Sequence, residues 1–247
     1  MKHHRKIAAI LGGLAYLGGI VLGLMLCGWT FWGELEAALL VPQTASLSFK
    51  TLKCPMMIVS TESGIVSATF DNPTPAVIQP SVRLEISHGK TTRTEGLVLT
   101  LAPGDVKELQ WKVSSEDLVF GRLILVSLYE NSYGDYPSHQ TSCGILVSRL
   151  PSPSGRQIFI ASLITCLLSI SAGLILWRYG NSPLRGINQS VAQASTVLTV
   201  VLLAGLVSTL PRLWGLTGFL LFVSLLIIVV IITEFVLFPS SASRAED

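Results

Sequence analysis

Residues 140–165 read QTSCGILVSRLPSPSGRQIFIASLIT, and they join two kinds of chain. The first part is strand-like and carries Cys143. The middle, Pro151-Ser152-Pro153-Ser154-Gly155, is a cluster of breakers, and from Ile158 onward the run is apolar. A strand that passes through a hinge into such a run sets a folded domain directly beside a membrane crossing. On this reading Cys143 closes an extracytoplasmic β-domain just before the chain re-enters the bilayer.

The composition agrees. Of 247 residues 50% are hydrophobic and only 13% charged, with a mean hydropathy of +0.60, a balance foreign to soluble domains. The formal net charge is +2 and the basic residues are scattered, so nothing offers a nucleic-acid groove and no nucleic-acid partner is expected.

After Lys2, Arg5 and Lys6 no charge occurs until Glu34, and the run 7–31 exceeds the roughly 20 residues that cross about 30 Å of hydrocarbon. A cleaved signal peptide is the alternative, but its apolar core spans only about 7–15 residues and no A-x-A site follows here. Three further apolar runs lie at 158–177, 191–210 and 213–237, flanked by Trp177, Tyr179 and Trp214, rings that favour the headgroup layer. Lys and Arg in short segments are retained on the cytoplasmic side. Lys2, Arg5 and Lys6 therefore place the N-terminus inside, and Arg178 and Arg185 do the same for the loop between the second and third spans.

The predicted organisation starts with a basic cytoplasmic N-terminus (1–6), a first transmembrane helix (7–32) and a juxtamembrane linker (33–44). An extracytoplasmic β-sandwich (45–150) and a hinge (151–156) follow, then helix two (157–178) and a cytoplasmic loop (179–190). Helix three (191–210), an outside turn (211–213), helix four (214–237) and a cytoplasmic tail (238–247) complete it. The expected location is the plasma (cytoplasmic) membrane, with the lipid bilayer itself as one partner.

Between the first two spans the pattern changes to period two. Val82, Leu84 and Ile86 alternate with Arg83, Glu85 and Ser87, as Leu109, Trp111 and Val113 do with Glu108, Gln110 and Lys112. Gly121 to Glu130, GRLILVSLYE, is apolar on both faces and fits a central strand covered on each side. Turns are marked by Asn72-Pro73, His88-Gly89-Lys90 and Pro103-Gly104-Asp105. Strands at such spacing predict a small sandwich of seven or eight strands between Ala45 and Arg149. The cadence of LVLTLAPGDVKELQWKV, strand, Pro-Gly turn, strand, resembles immunoglobulin-like or fibronectin-type modules. That resemblance implies a fold and carries no functional residues with it.

Cys27 and Cys166 lie in apolar runs, whereas Cys54 and Cys143 lie in strand-like surroundings and are the pair expected to form a disulfide. The first strand is expected to run outward to Cys54 and the last to return inward from Cys143, with two free thiols as the alternative. In the loop 130–142, Tyr133, Tyr136 and His139 stand among small polar residues, a mixture suited to partner binding; an ordinary solvated loop is the rival. His88 and His139 lack the paired spacing of zinc ligands, so no metal and no cofactor are expected. Glu116 and Asp117 read as solvated turn charges. In the spans, Ala15, Gly19 and Gly23 recur at four-residue spacing and form a seam for helix packing, within the chain or with a partner. Ser169 with Gly173 and Ala204 with Ser208 repeat it. The spans contain almost no ionisable group, and Glu234 reads as a boundary residue.

The expected fold is thus four transmembrane helices with an all-β sandwich inserted between helices one and two. The expected function is a non-catalytic interaction or accessory subunit, with another membrane protein or a second copy of the chain as partner. The alternative is a transporter or channel component with the β-domain as a cap.

Overall fold

The structure, a computed structural model, describes residues 2–40, 47–48, 52–131, 138–150, 154–184 and 187–233. The chain folds as two compact units, Trp32–Ile160 and Met1–Phe31 with Ala161–Asp247.

The Trp32–Ile160 unit opens with the last turns of helix α1 (Lys2–Leu40) and closes with the first turn of α2 (Gly155–Gly180). Among the described residues it holds eight strands: β1 (Leu47–Ser48), β2 (Met57–Val59), β3 (Gly64–Asp71), β4 (Ser81–His88), β5 (Thr91–Val98), β6 (Val106–Val113), β7 (Leu123–Glu130) and β8 (His139–Ser148). One sheet has the order β1-β8-β7-β4-β5 with β2 also on β8, and β3 and β6 form the second. The period-two reading holds at β4 from Val82 to Ile86, where Val82, Leu84 and Ile86 are buried and Arg83 is exposed. Ser87, expected on the wet face, is instead buried, its hydroxyl donating to the Asp117 carbonyl at 2.7 Å and accepting from the Leu125 N–H at 2.9 Å. Val82, Leu84 and Ile86 meet Val66, Ala68 and Phe70 of β3 and Ile124, Val126 and Leu128 of β7 in one core. Each large aliphatic or aromatic side chain fully buried there contributes about 1.5–3 kcal/mol.

Strand β7 is apolar on both faces because both faces are covered. Ile124, Val126 and Leu128 enter the sandwich core, while Leu123 and Leu125 pack on Ala37 of α1. Residues 33–40, expected as part of a linker, are therefore helical. Apolar side chains on the outer face of β7 require cover, and the helix supplies it.

The first strand also departs from expectation. Both β1 and β2 pair with β8 in parallel, with Leu47 opposite His139 and Met57 opposite Leu146, so they run in the same direction as the last strand. Helix α2 starts at Gly155 rather than 157, and α3 (Ile187–Thr209) at 187 rather than 191.

The second unit contains α1 as far as Phe31, α2 from Ala161, α3 and α4 (Trp214–Ile232). All four helices are long and apolar enough to cross a membrane. Large apolar side chains such as Leu14, Leu17, Phe219, Phe222 and Val229 point outward, the arrangement a hydrocarbon solvent permits. The protein is a multi-pass membrane protein with a β-domain between its first two spans.

Candidate functional site

In the β-domain Glu62, in the turn after β2, is the polar side chain that binds the start of α2. Its Oε2 accepts from the backbone N–H of Gly155 at 2.8 Å and of Val59 at 3.2 Å, and its Oε1 accepts from the Ser154 hydroxyl at 3.3 Å. Gly155 opens α2, so the carboxylate sits where the first N–H groups of a helix have no partner within the helix. The Gly155 N–H foremost holds the carboxyl below the usual glutamate range; burial opposes it, and the Val59 N–H and Ser154 hydroxyl add smaller lowering effects. A Cβ at Gly155 would collide with the backbone of Met57 and Ile58. The start of α2 is thus fastened to β2 by a close approach and a charged cap. No pattern in the sequence linked Glu62 to residue 155; the signal was only the Ser154-Gly155 pair.

The predicted bridge is present. Cys54 and Cys143 form a disulfide with Cα atoms 6.6 Å apart, 89 residues apart in sequence. It ties the segment before β2 to the middle of β8. The next residue, Gly144, lies against the backbone of Gly33 so closely that no side chain fits there. Neither glycine stood out in the sequence, since nothing indicated that a helix crosses β8.

Of the predicted partner-binding residues, Tyr133 and Tyr136 lie outside the described residues. His139 is not in a loop: it opens β8, opposite Glu130 of β7 and Leu47 of β1. Asp117 is a further correction. It is buried, its Oδ2 accepts from the Ser114 N–H at 3.0 Å, and its Oδ1 lies 3.9 Å from Arg93 and 3.5 Å from His88. Ser114 caps the 3-10 turn Ser115–Asp117 and Asp117 completes the capping box, whereas Glu116 is exposed as expected.

Among the described residues β5 forms one edge of the large sheet. It pairs only with β4, lies at the end of the strand order, and is exposed at every position. Leu97 and Val98 on it are 49% and 62% exposed.

In the helical unit the seam is used within the chain. The Ser169 hydroxyl donates to the Ala15 carbonyl at 2.7 Å, and the Cys166 thiol to that of Gly19 at 3.3 Å. A Cβ on Gly19 would stand 2.8 Å from the Ile170 nitrogen, and one on Gly23 2.8 Å from Leu202 of α3. Gly12 against Gly173 and Trp177, and Gly180 against Ala9, extend the contact in ways the four-residue spacing did not reveal. The Tyr16 hydroxyl reaches α3, donating to the Ser195 carbonyl at 2.8 Å and lying 3.1 Å from the Thr199 hydroxyl. Ser208 of α3 meets Thr217 of α4 at 2.7 Å, whereas Ala204, predicted on the same face, is exposed. Among the described residues no three His, Cys, Asp or Glu side chains converge as metal ligands would.

No protein-family profile and no curated protein matches the sequence. Among solved structures, a cycloisomaltooligosaccharide glucanotransferase from Paenibacillus sp. is 18% identical over 42% of this chain and 14% of its own, with a TM-score of 0.33. The CARDB domain of a Pyrococcus furiosus protein, solved with di-metal ions, is 11% identical over 42% of this chain and 97% of its own, with a TM-score of 0.30. A β-glucosidase from Listeria innocua is 14% identical over 42% and 16%, with a TM-score of 0.31. This chain therefore spans about a sixth or less of the two enzymes. At such TM-scores the likeness assigns neither a family nor a chemistry.

Proposed function

We propose that this protein is a non-catalytic accessory subunit of an assembly in the cytoplasmic membrane, with residues 33–156 extracytoplasmic and the β-domain presenting the partner surface. The observation that carries this reading is β5, an edge strand exposed along all eight residues. Such an edge recognises an extended segment of another chain by adding it as a strand, with main-chain hydrogen bonds for affinity. The basic residues 2, 5, 6 and 178 support the orientation, and the disulfide fits an oxidising compartment.

The test is affinity purification from mild detergent with identification of co-purifying chains. Leu97→Lys with Val98→Lys removes co-purification while the melting temperature stays at the wild-type value. Tyr133→Ser with Tyr136→Ser forms a second arm, because the aromatic loop is the other surface suited to recognition. Full recovery of every partner by both variants would sink the proposal.

A transporter or channel component with the β-domain as a cap is the second reading, supported by the polar contact of Tyr16 with Ser195 and Thr199 between spans. Those groups satisfy one another and contain no carboxylate or ammonium to carry charge, which favours the subunit reading.

A further inference from the structure

The turn before β7 has an unusual backbone. Phe120 and Gly121 both have positive φ, 53° and 71°, between Val119 and Arg122. The Arg122 N–H donates to the Val119 carbonyl at 3.3 Å, and Val119 and Leu123 exchange both backbone hydrogen bonds. Positive φ at both central positions is the backbone of a type I′ turn, in which Asn-Gly is the usual pair, here set within a three-residue loop between the paired Val119 and Leu123. A phenylalanine in that first position is strained, and it is largely exposed, at 68%. A strained residue whose side chain is largely exposed is a candidate contact position.

The strand register gives its place. Leu123 pairs with Leu146, and Arg149 donates to the Gly121 carbonyl at 3.3 Å, so the turn lies at the end of the sheet where β8 finishes. The Glu62 cap and the first turn of α2 lie at this same end, since β2 pairs with residues 146–148 and holds Gly155. The β4–β5 hairpin reaches it too, and Gly89 and Lys90 face Val119 and Phe120 across a recess of about 660 Å³. Around Phe120 this end exposes Leu150 and the cations Lys90, Arg122, Arg149 and Arg156. Helix α2 has 26 residues, about 39 Å of helix at 1.5 Å per residue, against roughly 30 Å of hydrocarbon. The hydrocarbon boundary on this side therefore falls within about six residues of Gly155, the residue at which the span joins this end of the β-domain.

We infer that the 119–122 turn is a lipid anchor, with the Phe120 ring seated in the headgroup layer and Arg122, Arg149 and Lys90 against lipid phosphates. An apolar ring bordered by cations is the composition that binds an anionic interface, and chain continuity brings that interface to this end of the domain. The inference rests on the multi-pass reading and is independent of any protein partner at β5.

The test uses the full chain in phosphatidylcholine vesicles with and without phosphatidylglycerol. A nitroxide is placed at Phe120→Cys, at Leu150→Cys, and at Thr100→Cys as an exposed control beyond the opposite end of β5; Cys27 and Cys166 are buried and leave the introduced thiol as the reactive one. The ratio of accessibility to oxygen over a nickel chelate rises several-fold at 120 and 150 relative to 100, and rises further with phosphatidylglycerol. Arg122→Gln with Arg149→Gln abolishes that further rise. Phe120→Asn, which suits the turn, folds at least as well as wild type, so any loss of bilayer contact by this variant belongs to the ring. A ratio at 120 and 150 equal to that at 100 overturns the proposal. So does exclusion of both reagents, which would mean that protein covers this end.

Discussion

At Glu62 a single carboxylate joins the β-domain to the start of a membrane span. Replacing it with Gln leaves some hydrogen bonding but removes the charge at the helix N-terminus, at a cost of about 0.3–1 kcal/mol. The pH dependence follows from the lowered pKa. The carboxylate's stabilisation is whole above the ordinary glutamate value of about 4.3, and it is lost as pH falls through the lower value held in the folded protein. Thermal melts of wild type and Glu62→Gln from neutral pH to pH 3 should therefore converge at the acid end. Parallel curves would show that the charge does not act here. Phe120 behaves oppositely. Phe120→Asn should raise stability by about 1 kcal/mol, because Asn tolerates the left-handed backbone that costs a phenylalanine, and a fall in melting temperature would refute the strain.

Elements act through close approach. Helix α1 meets α2 along Gly12, Ala15 and Gly19, opposite Gly173, Ser169 and Cys166. Gly173→Leu would place its side chain into the Tyr16 backbone, and rigid helix backbone cannot yield as a flexible side chain would. Overpacking of this kind costs about 1–3 kcal/mol, whereas Gly18→Leu, at an open position on the same helix as Gly19, should cost far less. Proteolytic stability in detergent separates the two. In the β-domain the disulfide closes an 89-residue separation, worth about 4–5 kcal/mol in the chain-entropy account. Cys54→Ser with Cys143→Ser should lower the domain's melting temperature by more than any single surface substitution. An unchanged melt would mean that the bridge removes little entropy from the unfolded chain.

For the whole molecule, orientation is the quantity to measure. An impermeant thiol reagent on intact cells should label Ser138→Cys, near the start of β8, and spare Ser182→Cys, between the second and third helices. The reverse pattern overturns the topology and, with it, the proposal that β5 meets its partner outside the cytoplasm. A reagent that labels both would instead show that the chain does not hold one orientation.

What the sequence by itself determined was set by local chemistry. Uncharged runs longer than the bilayer is thick become helices whatever surrounds them, and the alternation of β4 and the two-faced apolarity of β7 follow from which side of a strand must be dry. The Cys54–Cys143 bridge was legible because the other two cysteines lie in apolar runs. Only the tertiary structure decided the rest, because those features depend on pairs distant in the chain. Residues 33–40 look like a linker until β7 needs its outer face covered, and Gly33 and Gly144 are ordinary glycines until two backbones touch. Asp117 looks like a solvated turn charge until Arg93 and His88 arrive from the neighbouring hairpin. The parallel course of β1 and β2 beside β8 was hidden for the same reason: a strand's pattern records which face is buried, and not the direction of its neighbour.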